Sequence, residues 1–277
     1  MKKNKLRLAL LDMNNGFPNQ GMRCLREIVA AYSDVLEYEV FDVRQKNELP
    51  NLDFDLYISS GGPGNPLEDI GPWLGNYLQL IDELWVHNLD PGARKKYVFL
   101  ICHSFQLVSH HFKLGEITRR KSTSFGVYPI HKTVAGRKDH LLAGLEDMYY
   151  AVDSRDYQLV QPRLKVFKEH GASILSLEKI RTNVEYERAI MAVRFSKEFV
   201  GTQFHPEADA VGMKSYFLEE ENRNKVIVNF GIEKYEDMMN HLDDPDKIFL
   251  THGSILPGFI NQAINDLAPD HREIEFV

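Results

Sequence analysis

The first half of the chain repeats one pattern: a short apolar or β-branched run, a polar or turn-forming close, then a stretch with helical spacing. The runs are Leu6–Leu11, Tyr38–Val43, Phe54–Ser59 and Tyr97–Ile101. Runs of this length bounded by turn residues read as buried strands. Between them, Gln20–Tyr32 puts Met22, Leu25, Ile28 and Val29 on one helical face, and Trp73–His87 has the length of a helix. A further helix is expected over Gln106–Phe112. Such alternation implies α/β architecture, a mostly parallel central sheet covered by helices on both faces.

From about Val127 the pattern changes to short strands: Val127–Thr133, Met148–Val152, Leu164–His170, Ala172–Leu177 and Ala189–Phe195. These predict a mixed extension of the sheet, and Val200–Phe204 returns to the core. Residues 208–277 read as a mostly helical extension packed on the domain formed by residues 1–207. Within it Ile255, Leu256, Phe259, Ile260, Ala263, Ile264 and Leu267 form a helical stripe, with Thr251 or Ser254 as N-cap. That extension is expected to lid a site or to supply a homodimer contact, and docking of a synthetase stays open as an alternative.

Composition narrows the function classes. A hydrophobic share of 43% and a charged share of 26% are ordinary for a globular chain long enough, at 277 residues, to bury a large core. A net charge of -7 argues against a nucleic-acid partner, because phosphate neutralisation needs clustered Lys and Arg. The cluster Lys2, Lys3, Lys5 and Arg7 is expected to solvate the start of the first strand. No apolar stretch approaches the roughly 20 residues that cross a bilayer, so no membrane partner is expected. Two cysteines, Cys24 and Cys102, cannot build a disulfide framework, which fits a reducing, cytoplasmic setting.

Two of the strands end in reactive side chains. Cys102 closes the run from Tyr97, and His205 and Glu207 close the run from Phe199. Open α/β sheets carry their sites at such C-terminal strand ends. A thiol, an imidazole and a carboxylate are the components of a nucleophile, base and orienter. A thiol at a strand-to-helix turn also meets the helix N-terminus, whose free amides favour thiolate. His205 and Glu207 are two positions apart, so in extended backbone they point the same way, and one imidazole nitrogen is left for the thiol. Pro206 between them removes an amide donor and ends ladder pairing. Cys24, on the apolar face of a helix, reads instead as a packed core thiol. Ser59–Gly64 contains Gly61, Gly62 and Gly64 and can bring backbone amides close to a reacting centre, as an oxyanion hole requires; by itself it is also a tight turn. Neither a phosphate loop nor a metal cluster is visible, and no cofactor is expected.

Taken together, the loop Ser60–Gly64, the segment Cys102–Gln106 and the triplet His205-Pro206-Glu207 resemble the class I (triad) glutamine amidotransferase family over about residues 5 to 207. The glutaminase domains of GMP synthases are the nearest in character. The resemblance implies a flavodoxin-like three-layer sandwich. It implies Cys102 as nucleophile, His205 as acid and base, and Glu207 as orienter. The backbone amides of Gly62 and His103 would hold the oxyanion. Gln106, Gly61, Phe125, Ser154 and Arg155 would line the substrate. The implied reaction is hydrolysis of the glutamine side-chain amide through a γ-glutamyl thioester, giving glutamate and ammonia.

Three departures stand out. Leu100 and Ser104 occupy positions where the family usually has glycine, and Leu100 requires neighbouring elements to give way. Asp153-Ser154-Arg155-Asp156 lacks the histidine that often grips the amino-acid end of glutamine. Arg155 reads first as a solvated surface charge, and alternatively as a fork for a substrate carboxylate. No ATP-binding synthetase segment is present, so ammonia would pass to a separate synthetase subunit or to solution. Two other readings stay open: a γ-glutamyl hydrolase or peptidase of the same superfamily, and a catalytically silent scaffold protein.

Overall fold

The computed structural model describes residues 5–17, 19–68, 71–180, 188–244 and 247–269. Lys2 and Lys3 of the N-terminal basic cluster lie outside them. The opening elements are β1 (Leu6–Asp12), α1 (Gln20–Ala30), β2 (Leu36–Asp42), α2 (Val43–Lys46), β3 (Leu56–Ser59), α3 (Pro72–Leu89), β4 (Tyr97–Ile101) and α4 (His103–His111); all but the short α2, where Val43 was expected to end a strand, follow the sequence closely. The chain continues through β5 (Glu116–Lys132), α5 (Val134–Lys138), β6 (Met148–Val160), α6 (Leu164–His170), β7 (Ser173–Glu178), β8 (Ile190–Arg194) and β9 (Phe199–Thr202). It ends in α7 (Ala210–Leu218), α8 (Glu220–Phe230), α9 (Ile232–Asp243) and α10 (Ile248–Leu267).

Among the described residues the strands form one nine-stranded sheet in the order β2-β1-β3-β4-β9-β8-β7-β5-β6. The pairs from β2 to β9 are parallel, and the pairs from β9 to β6 are antiparallel. The expected α/β sandwich with a mixed extension is therefore the observed fold. Strand alternation sorts side chains to two faces. Tyr97, Phe99 and Ile101 of β4 join one core with α1 and α10, while Val98 and Leu100 join the other with α3 and α4. The α10 stripe is buried from Ile255 to Ile264 on the α1 face, and each fully buried Leu, Ile or Phe there contributes about 1.5–3 kcal/mol. A third, smaller core joins Phe217, Val226, Tyr235 and Met238 of α7–α9 to Val127 and Val152. Among the described residues no helix is long and apolar enough to cross a membrane.

Several local expectations are corrected. Leu164–His170, expected as a strand, is the helix α6; only Phe167 of it is buried, and Gly171 ends it at φ +67°. β5 begins at Glu116 and β6 runs on to Val160, both far longer than expected. Neither Thr251 nor Ser254 caps a helix, because α10 starts earlier, at Ile248. Thr251 Oγ1 instead donates to the Tyr150 carbonyl at 2.6 Å, tying α10 to β6.

Candidate active site

Cys102 stands between β4 and α4 with φ 49° and ψ -101°, a conformation that costs a non-glycine residue about 1–3 kcal/mol. The surroundings enforce it. Its amide donates to Thr202 O at 2.7 Å, and its carbonyl accepts from Gln106 N at 3.0 Å. Ser104 Oγ accepts from Ile101 N at 2.9 Å and lies 2.9 Å from the carbonyls of both Ser59 and Ile101. The hydroxyl thus braces the turn against β3, a use that glycine could not supply. Leu100 fits because its register partner in β9 is Gly201. A Cβ on Gly201 would lie 3.1 Å from Leu100 Cβ and 2.8 Å from Phe105 Cδ2.

Across the β4–β9 junction lies His205, whose amide donates to Val152 O at 2.8 Å in an isolated bridge before Pro206 ends the pairing. Its Nδ1 is 2.7 Å from Glu207 Oε1, and its ring and Cys102 both lie against Gly61. Burial opposes the imidazolium, but the Glu207 carboxylate and the adjacent thiol outweigh it and hold His205 well above its ordinary value. Glu207 is 2% exposed. Its Oε2 is buried with no hydrogen-bond partner among the described residues, and its backbone carbonyl accepts from His252 Nδ1 of α10 at 3.0 Å.

The glycine loop after β3 closes over these groups. A Cβ on Gly61 would stand 2.8 Å from His205 Cε1 and 3.3 Å from Cys102 Cβ, so side-chain-free backbone is needed there. At Gly62 a Cβ would meet Met13 O at 2.2 Å. Ser60 Oγ accepts from Met13 N at 2.9 Å and ties the β1 loop to the β3 loop, while Asp12 Oδ1 accepts from Asn14 N at 2.9 Å within the β1 loop.

The remaining residues singled out in the sequence take varied positions. Gln106 is buried, with Nε2 donating to Tyr157 O and to Gln203 Oε1, each at 3.0 Å. Gln203 Nε2 lies 3.7 Å from the Cys102 sulfur. Sequence reasoning passed over Gln203, although a fully buried amide at the end of an apolar run was a signal. The Ser154 carbonyl is 3.7 Å from the same sulfur. Arg155 is not a solvated surface charge: its side chain is 1% exposed, pairing with Asp153 at 2.9 Å and Glu178 at 3.5 Å. Arg120 joins Glu178 at 3.1 Å, so the two arginines of β5 and β6 are balanced by Asp153 of β6 and Glu178 of β7. Nη1 of Arg155 has no hydrogen-bond partner among the described residues. Phe125, in β5, stacks on Phe230 at 4.7 Å. Cys24 is buried beside Asp209, and burial pushes its thiol up to about 12, which leaves it protonated and inert.

Cys102, His205, Glu207, Gly62 and His103 line one cavity of about 470 Å³, together with Gln106, Ser154, Arg155 and Phe125. Cavities of about 300–1,000 Å³ hold small-molecule ligands. Among the described residues no group of three or more His, Cys, Asp or Glu is placed to hold a metal ion.

Residues 9–224 match the family model described as glutamine amidotransferase class-I. The chain superposes on the crystal structure of a glutamine amidotransferase from Thermotoga maritima with a TM-score of 0.67 at 17% identity, covering 96% of this chain and 99% of that one. It is also similar to a glutamine amido transferase from Methylobacillus flagellatus, with a TM-score of 0.62 at 15% identity, covering 94% and 95%. A protein from Thermoplasma acidophilum described as a GMP synthase subunit gives 0.51 at 18% identity, covering 74% and 86%. At these identities the structural likeness speaks for the fold. No curated protein sequence matches the chain.

Proposed function

The chain belongs to the class-I glutamine amidotransferase family, and we propose that it hydrolyses a γ-glutamyl carboxamide through a thioester on Cys102. The observation that carries this reading is the strained turn at Cys102 beside a His205–Glu207 pair, all three lining one cavity. Strain at a non-glycine elbow is kept only where neighbours over-determine it, and here it holds a thiol against an imidazole.

In the reaction, His205 takes the proton of the Cys102 thiol, and sulfur attacks the carboxamide carbon. Because Nδ1 is engaged by Glu207, Nε2 is the nitrogen that exchanges protons with the thiol. Glu207 thereby fixes the tautomer and balances the imidazolium. The backbone amides of Gly62 and His103 receive the developing oxyanion. His205 protonates the departing nitrogen, ammonia leaves from glutamine, and a thioester remains. Water, deprotonated by His205, then displaces the sulfur and releases glutamate. Gly61, Phe125 and Ser154 shape the substrate space. Gln106, whose Nε2 hydrogens are both engaged, acts as floor and as an anchor for Gln203. Nη1 of Arg155 is the donor left for a substrate carboxylate. With glutamine as substrate, the ammonia released would pass to a separate acceptor enzyme.

The test is glutamate and ammonia release from glutamine by the purified chain, with peptide mapping after exposure to 6-diazo-5-oxo-norleucine. Stoichiometric labelling of Cys102, with turnover abolished in Cys102→Ala, is expected. Absence of both turnover and labelling would refute the enzyme and leave a scaffold.

A further inference from the structure

One wall of the cavity is apolar. Met213, Tyr216 and Phe217 of α7 line it alongside Phe125. These residues connect to the thiol by a short chain of contacts. The Cys102 sulfur touches the Ser154 carbonyl, Phe125 is the register partner of Ser154, Phe217 packs edge-on to Phe125 at 5.8 Å, and Tyr216 packs edge-on to Phe217 at 5.2 Å.

The wall is built, not collapsed. Asp209 caps α7 by accepting from Gly212 N and pairs with Arg23 of α1, which fixes the start of the helix two residues after Glu207. Tyr235 Oη donates to Phe217 O at 3.1 Å, and Phe230 stacks against Phe125. The ammonium and carboxylate of a γ-glutamyl group cannot rest on thioether and aromatic side chains without losing hydration uncompensated. The apolar wall is therefore left for the other end of the substrate, beyond the amide nitrogen.

Resting on the thioester reading above, we propose that the substrates are γ-glutamyl amides whose nitrogen carries an aromatic or branched alkyl group, with Met213, Tyr216 and Phe217 selecting that group. The C–N bond breaks as the C–S bond forms, the thiol proton passes through His205 to the departing amine, and water then replaces sulfur; no electrons change hands. Free glutamine, whose leaving group is ammonia, leaves the wall uncovered, whereas a substituted amine removes it from water.

The experiment compares glutamate release from L-γ-glutamyl-phenethylamide, L-γ-glutamyl-methylamide and L-glutamine. The phenethylamide is expected to have a kcat/KM at least about tenfold above the other two. Phe217 is a core residue, so the half-buried Met213→Ser and Tyr216→Ser are the variants, with folding checked by thermal melt. Each is expected to lower the phenethylamide-to-methylamide ratio of kcat/KM by about tenfold. Equal or better use of glutamine, or a ratio that does not move in the variants, overturns this proposal and leaves the thioester reading standing. Turnover of none of the three overturns both.

Discussion

Glu207→Gln keeps shape and removes charge, and the surroundings of the two carboxylate oxygens determine its effect. The oxygens are unlike: Oε1 lies 2.7 Å from His205 Nδ1, and Oε2 is buried without a partner among the described residues. A glutamine must put its NH2 in one of these places. With its oxygen on Nδ1, the NH2 is buried without an acceptor, which costs about 1–3 kcal/mol. With its NH2 on Nδ1, the imidazole is forced to carry its proton on Nε2, which then cannot deprotonate the thiol. In either arrangement the counter-charge to the imidazolium is gone, and wrong-tautomer variants of comparable triads lose about 10⁴-fold in kcat. We expect kcat to fall by about 10³–10⁴-fold and to stay low at every pH. The titration should move as well. His205 is held above its ordinary value of 6.5, so the pair stabilises the fold fully below about that pH and ceases to do so as pH rises through the folded midpoint. In Glu207→Gln the midpoint should fall, and the alkaline loss of stability should shrink. Steady-state glutamate release and histidine NMR titration in a Cys102→Ala background read the two effects. A kcat within tenfold of the parent, or an unmoved His205 midpoint, would refute the assignment of Glu207 as orienter.

Two further changes test the frame around the site. Gly201→Ala pushes a Cβ to 2.8 Å from Phe105 and 3.1 Å from Leu100 Cβ; overpacking of this kind costs about 1–3 kcal/mol, visible as a lower melting temperature, and an unchanged melt would mean that the β4–β9 contact is not tight. Arg155→Met leaves the buried Asp153 and Glu178 short of positive charge and should cost about 3–5 kcal/mol in urea unfolding, whereas a loss below about 0.5 kcal/mol is what a solvated arginine would give.

What was legible in the sequence is what depends on local pattern. Cys102 follows an apolar strand directly, and His205 and Glu207 share a face because they are two apart, so their local geometry needs no distant information. The parallel half of the sheet was equally readable: β3, β4 and β9 are buried on both faces and read as apolar runs, while β2, at the sheet edge, alternates. The β5–β6 pair was not. Its core-facing positions hold Arg120, Ser124, Asp153 and Arg155, charges that cancel only when β7 brings Glu178 beside them. A register shift between Arg119 and Ser124 further breaks the alternation. The expected strands therefore left out Glu116–Gly126, and Arg155 read as a surface charge. The α7 wall and the His252 bond to Glu207 were hidden for the same reason: both depend on where a later helix lands.

The elbow shows how a departure from a family pattern is resolved in three dimensions. A strand entering a turn at φ 49° needs room beside it, and glycine two residues before the nucleophile is one way to provide it. Here that position is Leu100, and the room comes from Gly201 on the adjoining strand. The steric requirement belongs to the pair of strands rather than to one position, so it can be met from either side of the ladder. Leu100 then buries its side chain between α3, α4 and the sheet, at 0% exposure, where a glycine would leave a void. Ser104 obeys the same logic on the helix side, where its hydroxyl satisfies Ile101 N and holds the turn to β3. Leu100 and Ser104, the residues that could suggest a degraded site when read along the chain, are supports of the strained cysteine when read across it.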